Sequence, residues 1–337
     1  MYDVSIFTFV LYFILTSIIN LKGRTIIASS VIIIYLIFFY YRDFKLDSVA
    51  YFEYYEMGLF VFEPVFTGLM QMCSSFDFSG RDFLIVIAII NIILVISLSH
   101  STNPNQSKIF ILAIWFSSLW GISISTNAIR QGMAELIFYV GFFLTFLIKA
   151  QKSYIYRSVL FIIFTTTAIG IHTSIILLLP LTLASFYLRL NNEKFRFFLP
   201  LLLFICSYLI PYTLLIPEFF HSFIHSESFE GRAPSYLKFL SIYFFYLFYT
   251  YLYKNIRNDY VYDIAIRLYF VLLLAVSFFS QNAEIISRIN VFLWPLDLIL
   301  INNYLYLQRL NKNLFYNFMY FTLPIFGIFN PSSQSMI

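Results

Sequence analysis

The stretch GISISTNAIRQGMAE, Gly121 to Glu135, gathers four side chains that can bind or move charge: Asn127, Arg130, Gln131 and Glu135. On a helix of 3.6 residues per turn they share an arc of about 140°. Arginine stays ionised and donates in a planar fork, which suits phosphate oxygens. Asn127 and Gln131 add amides that can orient sugar or phosphate oxygens, and Glu135 or a loop acid is the expected partner of Arg130. Arg232 in FEGRAPSY and Arg288 in NAEIISRINVF would extend the cation set until it could hold one diphosphate and stabilise the charge that develops there. His172 lies in TTTAIGIHTSIILLLP, where Gly170 can end one helix and Thr173 or Ser174 begin the next. A histidine there suits a general base or a hydrogen-bonded turn residue.

A second group lies upstream in YYRDFKLDSVAYFEYYEMGLFVFEPVF, where Arg42, Asp43, Asp47, Glu53, Glu56 and Glu63 stand among many aromatic residues. Carboxylates and aromatic rings together grip sugars, by hydrogen bonds to hydroxyls and by stacking on ring faces; the plainer reading is a solvated loop folded over the rest. Glu63 precedes a proline that opens an apolar segment, so it is either a helix cap or, with Asp47, a second candidate base. Walker A, H-E-x-x-H, CxxC, G-x-S-x-G and D-x-D patterns are all missing, which removes support for ATPase, zinc-protease, redox, hydrolase and metal-dependent nucleotide-sugar chemistry. Cys73 and Cys206 have no neighbouring ligand at metal spacing and read as packing residues. No metal and no cofactor is expected.

The elements that must carry these residues are membrane helices. The chain is 61% hydrophobic and 11% charged, against about 45 to 50% and 25% in soluble proteins. An arginine on such a span costs about 2.5 to 3.5 kcal/mol, so Arg130 must face a bundle interior or a wet cavity and find a partner. Asp297, deep in its span, has the same need. Apolar runs predict an all-α integral membrane protein, one polytopic domain over residues 1–337. Its spans fall near 4–20, 25–41, 83–99, 109–124, 126–148, 155–171, 173–188, 197–215, 236–253, 264–280, 289–307 and 314–330, about twelve in all with a range of 11 to 13. The apolar segment at 63–76 is too short to cross and reads as a re-entrant or interfacial helix.

With that topology most of the 21 basic residues fall on one side, which the positive-inside rule makes cytoplasmic. The loops at about 42–82 and 216–235, with Arg130, His172 and Arg288, then share the opposite, periplasmic face. Nucleic acid is not implied by the net charge of +4. Aromatic clusters such as FFYY at 38–41 and YFFYLFYTYLY at 243–253 read as interfacial belts.

Taken in order, RDFKLDSVAYFEYY, EPVF, NAIRQGMA, GIHTS and SRINVF resemble the EpsG-like, Wzy-type polymerases of bacterial O-antigen and capsular polysaccharide. The resemblance implies a multi-helix inner-membrane glycosyltransferase of GT-C-like architecture. Its periplasmic face would join undecaprenyl-diphosphate-linked oligosaccharide repeat units, by moving the growing chain from its lipid diphosphate to a sugar hydroxyl on the incoming unit. Membrane lipid and a chain-length co-polymerase are the implied partners. Arg130, Arg288 and Arg232 would then hold the diphosphate, His172 would be the base with Glu63 or Asp47 in reserve, and Arg42, Asp43, Asn127, Gln131 and Glu135 would line the substrate. A flippase for the same lipid-linked oligosaccharide and an O-antigen ligase draw on similar residues.

Overall fold

In the computed structural model the described residues are 47–102, 128–147, 154–187, 193–209, 260–279 and 291–300, with Leu36, Trp115, Leu240, Tyr243, Phe244, Tyr246, Leu247 and Ile289 as single positions. Every regular element among them is a helix: α1 Asp47–Glu56, α2 Pro64–Ser75, α3 Gly80–Thr102, α4 Ile129–Leu147, α5 Tyr154–Ile169, α6 Ile175–Tyr187, α7 Glu193–Leu209 and α8 Tyr260–Phe278. A shorter apolar helix, α9, covers Val291–Leu300. Two of these, α3 and the Val261–Phe278 part of α8, are long and apolar enough to cross a membrane. The helices α3 to α9 lie where apolar runs predict spans. The spans expected near 4–20, 25–41, 109–124, 236–253 and 314–330 fall wholly or largely outside the described residues, and with them the count of twelve.

The described residues up to Ile176 belong to one compact unit and those from Leu177 to a second. In the first unit α1 packs on α3, α3 on α4 and α4 on α5. The α4–α5 contact is close because Gly141 leaves room for it: a Cβ there would lie 2.2 Å from the Cβ of Phe164. Along α5, Ile155, Val159, Ile162 and Ile163 remain exposed. Such an apolar stripe suits lipid better than water.

Helix α3 begins with a reciprocal cap. The Ser79 backbone N–H and hydroxyl donate to Asp82 Oδ2 at 3.0 and 2.6 Å, and the Asp82 N–H donates back to Ser79 Oγ at 3.3 Å. Glu56, at the end of α1, accepts the Gly80 N–H at 2.6 Å, which ties α1 to the first turn of α3. Tyr55 stacks on Phe83 at 4.7 Å and 10°. Burial, then the nearby Cys73, Glu56 and Asp82, push its hydroxyl up to about 12.

Helix α2 has 12 residues, so it is about 18 Å long at 1.5 Å per residue, well short of a bilayer core of about 30 Å. One face is buried through Phe66, Met70 and Cys73. Its last turn closes in a Schellman arrangement, with the Phe78 N–H donating to Cys73 O at 3.3 Å and the Asp77 N–H to Ser74 O at 3.0 Å. Asp77 takes the left-handed position, φ 56°, that glycine usually fills.

In the second unit α7 packs on α8. The partner required by Asp297 is Tyr246, whose hydroxyl donates to Oδ1 at 2.8 Å. The Tyr262 hydroxyl in turn donates to the Tyr246 carbonyl at 3.4 Å. Arg267 pairs with Asp263 one helical turn away.

Candidate functional site

The first turn of α4 places Arg130 beside the start of α2. Ile129 is fully buried and anchors the turn, while the arginine side chain keeps 20% of its surface exposed. Its terminal nitrogen pairs with Glu63 Oε2, and Glu63 is 17% exposed. The pair is thus sheltered enough to strengthen its attraction, yet solvent reaches both groups. The partner of Arg130 is therefore a loop acid, and Glu135 is not involved.

Flat neighbours hold the guanidinium in place. Arg130 Cζ lies 4.4 Å from the centre of the Phe62 ring, 5.5 Å from Tyr51 and 6.0 Å from Phe66. Contacts of this kind contribute about 0.5 to 2 kcal/mol each, more when water is excluded. The Nε–H also donates to the Tyr51 hydroxyl at 3.2 Å. Tyr51, Phe62 and Phe66 pack on one another with ring centres 5.4 to 5.8 Å apart, so the cage is braced before the cation enters it.

Glu63 occupies the N-cap position of α2 with Pro64 following, yet its side chain makes no capping hydrogen bond. The free donors of the first turn go elsewhere: the Val65 and Phe66 N–H groups donate to the carbonyl of Gly170 at 2.8 and 3.4 Å. Released from capping, the Glu63 carboxylate reaches Arg130 through Oε2 and accepts the Thr173 N–H through Oε1 at 3.4 Å. The α2 entry and the α5–α6 turn are therefore joined by three hydrogen bonds, two to Gly170 O and one to Glu63. Gly170 is needed there, since a Cβ would meet Val65 Cγ2 at 2.5 Å.

His172 sits in the same turn. Its Nδ1 accepts the Ser174 N–H at 3.2 Å. A neutral imidazole accepting at Nδ1 carries its proton on Nε2, so this geometry presents Nε2 as a donor. Acting as a base would require a substrate hydroxyl to replace the Ser174 N–H at Nδ1. The Ser174 hydroxyl is buried without a hydrogen-bond partner among the described residues. No three His, Cys, Asp or Glu side chains among the described residues stand close enough to hold a metal ion.

Four separate sequence segments thus meet at one place: SVAYFEYY through Tyr51, FEPVF through Phe62, Glu63 and Phe66, NAIRQGMA through Arg130, and GIHTS through Gly170, His172 and Thr173. A family model described as the EpsG family matches residues 40–335, most of the chain, and takes in all four. The chain belongs to the EpsG family. EpsG-like polymerases are of the Wzy type, and membership associates this chain with glycosyltransferase-like polysaccharide polymerases. No curated protein and no solved structure matches the chain.

The remaining candidates of this EpsG-family chain fall into two groups. Gln131 turns inward from Arg130 and donates to Glu135 Oε1 at 3.0 Å. Glu135 is fully buried, and its Oε2 has no partner among the described residues. Arg42, Asp43, Asn127, Arg232 and Arg288 lie outside the described residues, as does the side chain of Asp47, which opens α1. Sequence reading missed Tyr51, Phe62, the Gly170 carbonyl and the Thr173 N–H. The need of a lone guanidinium for flat partners points toward the rings, but nothing in residue types marks a backbone donor.

Proposed function

We propose that this EpsG-family protein is a polysaccharide polymerase that moves the growing glycan from undecaprenyl diphosphate onto a sugar hydroxyl of the next lipid-linked repeat unit. The bond from the anomeric carbon to the diphosphate oxygen breaks, and a bond from that carbon to the acceptor oxygen forms. The hydroxyl proton passes to a base, and undecaprenyl diphosphate leaves with the electron pair. The observation that carries this reading is the caged Arg130, a fixed cation placed beside Glu63 and the His172 turn at one end of the helix group. A diphosphate leaving group needs such a cation where charge accumulates. Arg288 and Arg232 would complete the clamp, His172 would receive the proton at Nδ1, and Gln131, Asn127, Asp43 and Asp47 would orient sugars. The active face is the periplasmic one of a bacterial inner membrane, and a chain-length co-polymerase is the proposed partner.

The lipopolysaccharide gel of a deletion strain tests the reaction. Core carrying a single repeat unit is expected. Bare core with polymer still on its lipid carrier would replace the reading with a ligase, and bare core without periplasmic polymer with a flippase. Plasmids encoding Arg130→Ala or His172→Ala should fail to restore polymer although the protein reaches the membrane. Polymer of normal length from either variant removes that residue from the mechanism.

A further inference from the structure

The double engagement of Glu63 reaches beyond this reading. Its two oxygens take up a guanidinium from α4 and a backbone N–H from the α5–α6 turn. Guanidinium and backbone N–H together are the donor set with which proteins hold phosphate oxygens. Glu63 therefore sits as a bound anion would. Its own helix does not require it, because the Gly170 carbonyl already takes the Val65 and Phe66 donors. Arg130 has anchors besides Glu63, since its Nε–H donates to the Tyr51 hydroxyl and its guanidinium lies against Tyr51, Phe62 and Phe66. Solvent reaches both members of the pair.

We infer that Glu63 is a resident competitor, filling a two-donor anion seat made by the Arg130 guanidinium and the Thr173 N–H, and that a diphosphate group enters by displacing it. The freed carboxylate stays near the positive end of α2, which lowers the cost of the exchange. Only hydrogen bonds and ion pairs change; no covalent bond is involved. The inference rests on the polymerase reading for the identity of its ligand. It adds Thr173 as a donor and makes Glu63 a determinant of affinity.

The test uses the purified full chain in detergent, with farnesyl diphosphate and inorganic pyrophosphate as probes in titration calorimetry. Glu63→Gln removes the competing charge and should tighten both probes by about tenfold or more. Glu63→Asp keeps the charge on a shorter arm that spans the two donors poorly, so it should tighten them by a smaller factor. Arg130→Gln should abolish binding in each background. Unchanged or weaker binding by Glu63→Gln overturns the competitor, and if that variant does not fold, the same result from Glu63→Asp does so. Should Arg130→Gln leave affinity intact, the anion site of the polymerase reading itself fails, whichever way Glu63 behaves. Absence of probe binding in both wild type and Glu63→Gln overturns the two together.

Discussion

Arg130 shows how much of a site depends on the shape of a group as well as its charge. Lysine would preserve the attraction to Glu63 but lose both the planar stacking on Phe62 and the Nε bond to Tyr51. Arg130→Lys is thus expected to lower polymer yield by about tenfold or more, with a loss of stability of about 0.5 to 2 kcal/mol. Polymer assays and thermal unfolding of the same preparation measure the two effects. Tyr51→Phe, which keeps the ring and removes only the hydroxyl, should fall between wild type and Arg130→Lys. If Arg130→Lys matches wild type in both assays, the cage has no part in positioning the cation. The sequence made Arg130 conspicuous because a charge on an apolar helix must be accounted for. Tyr51 was hidden by its surroundings, one aromatic among many in a stretch where belt anchoring explains most rings. Glu63 was legible as a helix-start residue because Pro64 follows it; that its side chain turns away from the helix depends on a carbonyl more than a hundred positions downstream, beyond the reach of local pattern.

At the scale of elements, the short helix α2 is held at both ends by different means. Its C-terminal turn closes on itself, while its N-terminal turn borrows the Gly170 carbonyl. The borrowed cap predicts a sharp sensitivity at Gly170. An alanine there would press on Val65 Cγ2 and should cost about 1 to 3 kcal/mol. Trimming the obstacle with Val65→Ala in the same chain should restore most of the loss, so that the two changes are strongly non-additive. Thermal unfolding of the two single variants and the double variant gives the coupling directly; additive losses would mean that α2 does not rest on this turn. Long apolar helices such as α3 were readable from composition and length alone. The entry of α2 was readable from Pro64, but its docking site was not, since a backbone acceptor has no residue signature.

For the whole molecule, the distribution of basic residues in the sequence predicts that α2, Arg130 and His172 lie on the periplasmic side, and accessibility checks that expectation. Ser74 lies on the exposed side of α2. A Ser74→Cys chain that also carries Cys73→Ala and Cys206→Ser should react with a membrane-impermeant maleimide in cells whose outer membrane has been permeabilised. A Lys152→Cys counterpart should react only after lysis. Reversed labelling would turn the topology over and place the site in the cytoplasm. The helical character of the described residues and the two helices apolar enough to cross a membrane were legible because they follow from composition summed over long stretches. How helices meet was not, because close approaches such as that of Gly141 to Phe164 depend on pairs far apart in sequence. The salt bridge between Glu63 and Arg130 has one more consequence, for selectivity. A bare guanidinium open to water would collect dissolved phosphate or sulfate from its surroundings. Neutralised by its own carboxylate it attracts such ions less; under the exchange proposed for Glu63, a lipid-anchored diphosphate confined to the bilayer surface would meet the site at a high effective concentration and displace the carboxylate where a dissolved ion would not.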